Sequence, residues 1–322
     1  MTFNSTNEAK CNLRKTLILT LHGHRFRLSG IPRAMLPENT LLFCTADDGG
    51  DVEFCFEYHF TDYLPLESPA AEGWHTIYQK ANIKIWRKGQ LERRQLLTSD
   101  ATVTYAIYEE TDSRHAVICF AKPYSPDLST DTIFVSTLSL ERHLAPCGSY
   151  ILHCAYMSHH GEAILLSGPS GTGKSTHATL WEHAVADTHV VNGDRCLITQ
   201  EADGTYTASG WPVCGSSAIC HAESHPLRAI VFIEQTPGNQ IIAEPVSRLF
   251  VRLFSQLTVN HWDAGATAAA ADWAEELMRR IPVMVYGCNM DADAPLPLLT
   301  HIRSITGEAT SSHPPKDIPS WH

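Results

Sequence analysis

Eight consecutive residues, Gly168, Pro169, Ser170, Gly171, Thr172, Gly173, Lys174 and Ser175, constrain this chain more than any other feature. They follow the pattern of glycine, four residues, glycine, lysine and a hydroxyl residue, which belongs to loops that wrap a phosphate. Each part has a physical reason. Glycines let the backbone turn at positive φ and aim several amides inward. A helix beginning near Ser175 brings its positive dipole end to the same anion. The Lys174 ammonium is suited to β- and γ-phosphates, and the Ser175 hydroxyl to Mg²⁺, with Thr176 following in the first turn. The flanks agree: the apolar run 163–167 reads as a strand, and Ala178, Leu180, Trp181 and Val185 read as a helix face. The segment is therefore expected to bind ATP or a related nucleotide or polyphosphate.

Phosphate chemistry asks for a carboxylate nearby, to hold a metal ion or accept a proton. Asp194 lies 194 − 174 = 20 residues beyond the lysine, enough for one helix and a return strand. That places it at the carboxyl end of the sheet, where ligands gather. Glu234, ending the apolar run 229–233, is a second candidate, although a polar residue ending a buried strand is commonplace. His153, in the strand expected before the phosphate-loop strand, is read either as an active-site group or as a core histidine. The turn-rich segment 209–217, Ser-Gly-Trp-Pro-Val-Cys-Gly-Ser-Ser, is read as a substrate cover or simply as a loop.

Around this motif the chain changes character. Runs at 51–60, 74–87, 102–108 and 115–120 are rich in β-branched and aromatic residues and point to a mainly antiparallel β domain. The polar, proline-containing segment 122–132 is the expected boundary. Beyond it strands and helices alternate, with helices expected at 136–144, 175–185, 246–257 and 266–280, as in an α/β domain around a central sheet. The expected division is a β-rich domain over 1–128, an α/β phosphate-loop domain over 129–306 and a flexible tail over 307–322.

The net charge of -11 over 322 residues gives no general attraction to nucleic acid or to an anionic membrane. The basic run of Arg87, Lys88, Arg93 and Arg94 is read as a solvated hairpin face. No apolar stretch reaches the roughly 20 residues of a membrane helix, and the run 17–21 is too short for a secretory signal. Ten scattered cysteines without a Cys-x-x-Cys pair are read as reduced thiols, so a cytoplasmic location is expected.

The segment Leu140-Glu-Arg-His-Leu-Ala-Pro146, then His153, Gly161 through Ser175 and Val190 through Asp194, resembles the catalytic domain of bacterial HPr kinase/phosphorylase. The related phosphoenolpyruvate carboxykinases share that loop fold. The combination GPSGTGKSTHATLW, NGDR and SGWPVCG is similar still more closely to a group of HPr-kinase-related proteins. The resemblance implies a P-loop kinase domain with a central mixed sheet, ATP and Mg²⁺ as cofactors, and a homo-oligomeric assembly. It implies that Gly168, Gly173, Lys174 and Ser175 bind phosphates and metal, that Asp194 ligates metal or acts as base, and that His153 is the active-site histidine. Where the family has adjacent aspartates, Asp194 stands between Gly193 and Arg195. The reading is a phosphotransferase acting on a hydroxyl acceptor in a protein, peptide or small molecule. A nucleotide-binding module without turnover, or a carboxykinase-like enzyme, stands as the alternative.

Overall fold

A computed structural model of the chain describes residues 16–66, 73–80 and 82–306. The expected tail at 307–322 lies outside the described residues. The chain divides into two compact units between Leu140 and Glu141.

In the first unit, alternation of apolar and polar side chains builds one nine-stranded sheet. Its strands are β1 (Leu17–Leu21), β2 (His24–Ser29), β3 (Cys44–Ala46), β4 (Phe54–Thr61), β5 (His75–Lys80), β6 (Ile83–Lys88), β7 (Leu91–Leu97), β8 (Thr104–Asp112) and β9 (His115–Ala121). The order is β3-β1-β2-β4-β9-β8-β7-β6-β5. Pairing is antiparallel except where β4 runs parallel to β2 and to β9. Phe54, Phe56 and Tyr58 of β4 point into the core, as the period of two requires. A four-residue helix, α1 (Glu38–Leu41), precedes β3, and α2 (Asp131–Leu138) follows β9. Phe134 of α2 stacks on Tyr58 with centroids 6.1 Å apart, and the Tyr58 hydroxyl lies 2.6 Å from Thr137 Oγ1.

Two expectations about this region need correction. The helix expected at 136–144 is interrupted: Ser139 takes a left-handed φ of 51°, ending α2 and starting the short α3 (Leu140–Leu144). The basic run is not a solvated face throughout. Arg94 is buried with Glu92 and Glu110; its Nε donates to Glu92 Oε1 at 2.6 Å, and Tyr108 donates to Glu110 Oε1 at 2.8 Å. The strand's period of two turns Arg94 inward, where only a carboxylate partner makes its burial tolerable.

The second unit is a mixed sheet with helices on both faces. Its strands are β10 (Ser149–His159), β11 (Glu162–Ser167), β12 (Thr188–Asn192), β13 (Arg195–Gln200), β14 (Tyr206–Ser209), β15 (Ser224–Gln235), β16 (Gln240–Ile242) and β17 (Val283–Cys288). Its helices are α4 (Lys174–Ala184), α5 (Val246–Gln256), α6 (Ala264–Arg280) and α7 (Pro295–Thr306). The long strands β10 and β15 each join several ladders. β10 pairs with β11, β12 and β13, and β15 runs parallel to β11 and β17 while pairing antiparallel with β14. Since β13 also pairs with β14, the ladders run in a closed circuit β11–β10–β13–β14–β15 and back to β11.

Alternation on β11 separates two cores. Leu165 joins Tyr156, Phe232, Leu253 and Trp273 on the side of α5 and α6. Ile164 and Leu166 join Trp181, Tyr286 and Leu298 on the side of α4 and α7. Trp181 is fully buried, so α4 is anchored by one of the largest apolar side chains of the unit.

Candidate phosphate-loop site

β11 ends at Ser167, and the chain turns through 168–173 into α4. Gly168, Gly171 and Gly173 take φ values of 143°, 83° and 91°, which side-chain-bearing residues rarely adopt. A Cβ on Gly173 would sit 2.5 Å from Met290 Cε, whereas one on Gly171 would meet nothing within 4 Å. Pro169, Ser170 and Gly171 are exposed, as are Ser175 and Thr176, while Gly168 and Lys174 are buried. Thr172 tightens the turn by donating its hydroxyl to Pro169 O at 2.9 Å. The first amides of α4 belong to the set that no helix can bond internally, and here they follow the glycine turn directly.

Lys174 Nζ donates to Gly168 O at 2.9 Å and to Pro169 O at 3.1 Å. An ammonium has three N–H groups, so one remains beyond these two. Burial lowers the Lys174 pKa from the ordinary lysine value, and Cys154 and Asp194 act in the opposite sense. The positive charge is thus held by neutral carbonyls beside a turn rich in backbone amides.

β10 brings the other candidates to the same place. It lies between β11 and β13, opposing Cys154 to Ser167 on one side and His153 to Arg195 on the other. Asp194 immediately precedes β13, and its carbonyl accepts the Cys154 amide at 2.9 Å. Its Oδ1 lies 3.6 Å from His153 Nε2, and its Oδ2 accepts from Arg195 Nε at 3.1 Å. Ser175 Oγ donates to Gly193 O at 3.1 Å, so the loop serine touches the residue adjoining Asp194. His153 Nδ1 lies 3.0 Å from Gln256 Oε1 of α5. Burial and then the Lys174 charge hold the His153 imidazole below its ordinary pKa, against the opposing influence of Gln256 and Asp194.

Asn192 fixes this corner. Its Oδ1 accepts the amides of Asp194 and Arg195, and its Nδ2 donates to Trp211 O at 2.8 Å and Val213 O at 3.1 Å. The segment 209–217 is therefore anchored, with Trp211, Val213 and Cys214 buried. A Cβ on Gly215 would lie 3.1 Å from the Asp194 carboxyl group, so this segment packs against the carboxylate. Glu234 is drawn elsewhere: it pairs with Arg252 Nη2 at 2.5 Å, and Arg252 also pairs with Glu244 at 2.6 Å. Sequence reasoning gave Asn192 no role and had no signal for Gln256, whose contribution comes from a helix about a hundred residues away. The amide in Asn-Gly-Asp was a usable sign, because asparagine commonly bonds the backbone two residues on.

The donor set fits an anion: glycine turn, helix-terminal amides and a buried ammonium. Ser175 and Asp194 offer oxygen to a hard divalent cation, with Oδ2 of Asp194 already engaged by Arg195.

A family model described as SynChlorMet cassette protein ScmC matches residues 117–308, well over half of the chain. The chain belongs to the ScmC family. The matched range contains the whole site, from His153 through Gln256. No curated protein matches the chain. The solved structure of the Hpr(Ser) kinase/phosphatase from Coxiella burnetii is similar over 48% of this chain and 90% of that one, at 12% identity and a TM-score of 0.29. That likeness is too distant to bear on chemistry. No helix among the described residues of this ScmC-family chain is long and apolar enough to cross a membrane.

Proposed function

We propose that the chain binds a nucleoside triphosphate on the loop from Gly168 to Ser175 and transfers its γ-phosphoryl group to a hydroxyl acceptor. The observation that carries this reading is the Ser175–Gly193 hydrogen bond at 3.1 Å, which puts the phosphate-loop serine next to the Asp194–His153 pair. The loop amides and the remaining Lys174 N–H would hold β- and γ-oxygens and stabilise charge as it moves to the leaving diphosphate. Asp194 would orient the acceptor hydroxyl and take its proton as the new P–O bond forms, and the bond to the diphosphate breaks. His153, whose pKa burial lowers, stands 3.6 Å from the free oxygen of Asp194 and is steadied through Nδ1 by Gln256. Mg²⁺, held through Ser175, would supply further positive charge to the phosphate oxygens. Transfer of label from γ-labelled ATP to candidate serine-type acceptors tests the proposal. Lys174→Ala should abolish transfer, and full transfer in that variant overturns it.

One observation favours a second reading. Asp194 stands between Gly193 and Arg195, with no second carboxylate adjacent in sequence, and is half committed to an ion pair through Oδ2. A nucleotide-binding module without turnover fits that arrangement. Calorimetry separates the two: tight Mg-ATP binding with no acceptor-dependent ADP release supports the module.

A further inference from the structure

On the second unit, a group of side chains apart from the phosphate loop converges on one point. His189 stands on β12, Glu223 precedes β15 and His225 is its second residue. Glu223 Oε2 lies 2.8 Å from His189 Nε2 and 3.2 Å from His225 Nε2, and the three potential ligand atoms all fall within 4.8 Å of one another. Ligands about 2.0–2.2 Å from a tetrahedral ion stand roughly 3.3–3.6 Å apart, so these atoms need only a small expansion to admit one. His221 adds a further imidazole, its ring centroid 6.4 Å from that of His189 and nearly perpendicular at 88°.

The backbone holds these residues in place. The His221 amide donates to Val191 O at 2.9 Å, and Asn192 bridges to Cys220, so 220–221 lies alongside β12. Glu223 O accepts the Gly210 amide at 2.8 Å. The His225 ring meets the edge of the buried Tyr156 ring at 72°, with centroids 6.3 Å apart, and Tyr156 is fixed by donating to Ala208 O. Two positions further along the same strands, Val191 and Leu227 belong to the core under α5 and α6, so the cluster lies toward that face and not toward α4.

We propose that His189, Glu223 and His225 bind a zinc-class divalent cation, with His221 or solvent as the fourth ligand. Two imidazole nitrogens with one carboxylate match Zn²⁺, Co²⁺ or Ni²⁺ and not Mg²⁺ or Ca²⁺, which take oxygen ligands. One carboxylate with neutral imidazoles leaves the site at a net single positive charge, and each ligating histidine must give up its Nε2 proton and carry it on Nδ1. The ion would join β12 to the end of the 210–223 excursion, whose Gly215 packs on Asp194. The assignment does not depend on the phosphate-loop reading.

The test uses untagged full-length protein, stripped with chelator and titrated with Co²⁺ and then Zn²⁺. Expected are one equivalent of Co²⁺ with the absorption of a four-coordinate nitrogen and oxygen site, no thiolate charge-transfer band, and displacement by Zn²⁺. His189→Ala and His225→Ala should each weaken binding at least about tenfold, and Glu223→Gln, which keeps the side chain's shape, should weaken it too. Melting curves without metal establish that each variant is folded. No stoichiometric Co²⁺ binding, a spectrum dominated by thiolate, or unchanged affinity in a folded His189→Ala/His225→Ala double variant overturns the proposal.

Discussion

Both units bury basic side chains, and they neutralise them in opposite ways. In the first unit Arg94 meets the carboxylate of Glu92, which is fully buried, and the Glu92 amide is bonded in turn by Glu110. Arg87 Nη2 reaches the other Glu92 oxygen at 3.4 Å, so both oxygens of that carboxylate face arginines. In the second unit Lys174 rests on two neutral carbonyls, and Asp194, whose charge acts on it, spends one oxygen on Arg195. A buried ion pair has nothing left to offer a ligand, whereas an ammonium held by neutral groups keeps its charge for an anion. On the proposed reading, the contrast separates a structural charge from one left available to an anion.

The sharpest way to break this contrast is to remove each cation. Arg94→Ala leaves the buried Glu92 carboxylate with Arg87, at 3.4 Å, in place of its closer partner, and should cost about 3 kcal/mol in urea unfolding. Removing both partners, as Arg94→Met with Glu92→Leu, should recover most of that loss. Lys174→Ala strands no carboxylate of its own, so its unfolding free energy should stay within about 1 kcal/mol of the parent. Comparable losses for Arg94→Ala and Lys174→Ala would end the distinction.

His177 extends the comparison to a buried group with no charged partner at all. It lies on α4, fully buried, with both ring nitrogens unpartnered among the described residues and the ring edge-on to Tyr286. Burial pushes its pKa down to about 4 from an ordinary 6.5. Because the folded state resists a proton that the unfolded chain accepts, stability is intact above pH 6.5 and declines as pH falls toward 4. Linkage puts the loss from this group at about 2 kcal/mol by pH 5 and about 3 kcal/mol in full. His177→Leu should flatten that part of the pH dependence of urea unfolding, and an unchanged slope would contradict it.

The smallest effect tests the turn itself. Gly173→Ala forces a side chain into a φ of 91° and against Met290 Cε, and should cost about 1–2 kcal/mol. Adding Met290→Ala should relieve the contact and leave the backbone strain. If the pair restores full stability by thermal melting, the strain assigned to this turn is absent.

The sequence carried the strand–loop–helix order because its signals are local: an apolar run, a glycine turn and an apolar stripe around Trp181. The structure brings Asp194 and His153 together, 3.6 Å apart, through β10, whereas the spacing of 20 residues linked Asp194 only to Lys174. Glu234 went another way because Arg252 on α5 reaches it, a contact no spacing rule anticipates. β13, β14, β16 and α7 were not read. The first three are only three to six residues long and owe their existence to neighbours already in the sheet. The basic run misled for a related reason: charge was counted along the chain, while the strand's pleat decided which arginine turned inward.

The closed circuit of ladders has a consequence for the order of events during synthesis. The strand that launches the phosphate loop is flanked by β10, made before it, and by β15, which ends at Gln235. Roughly 60 further residues must leave the ribosome after Ser175 before that strand has both neighbours, and such distant partners form slowly. A nascent chain halted short of β15 should carry the glycine motif in full and yet lack the sheet that shapes it.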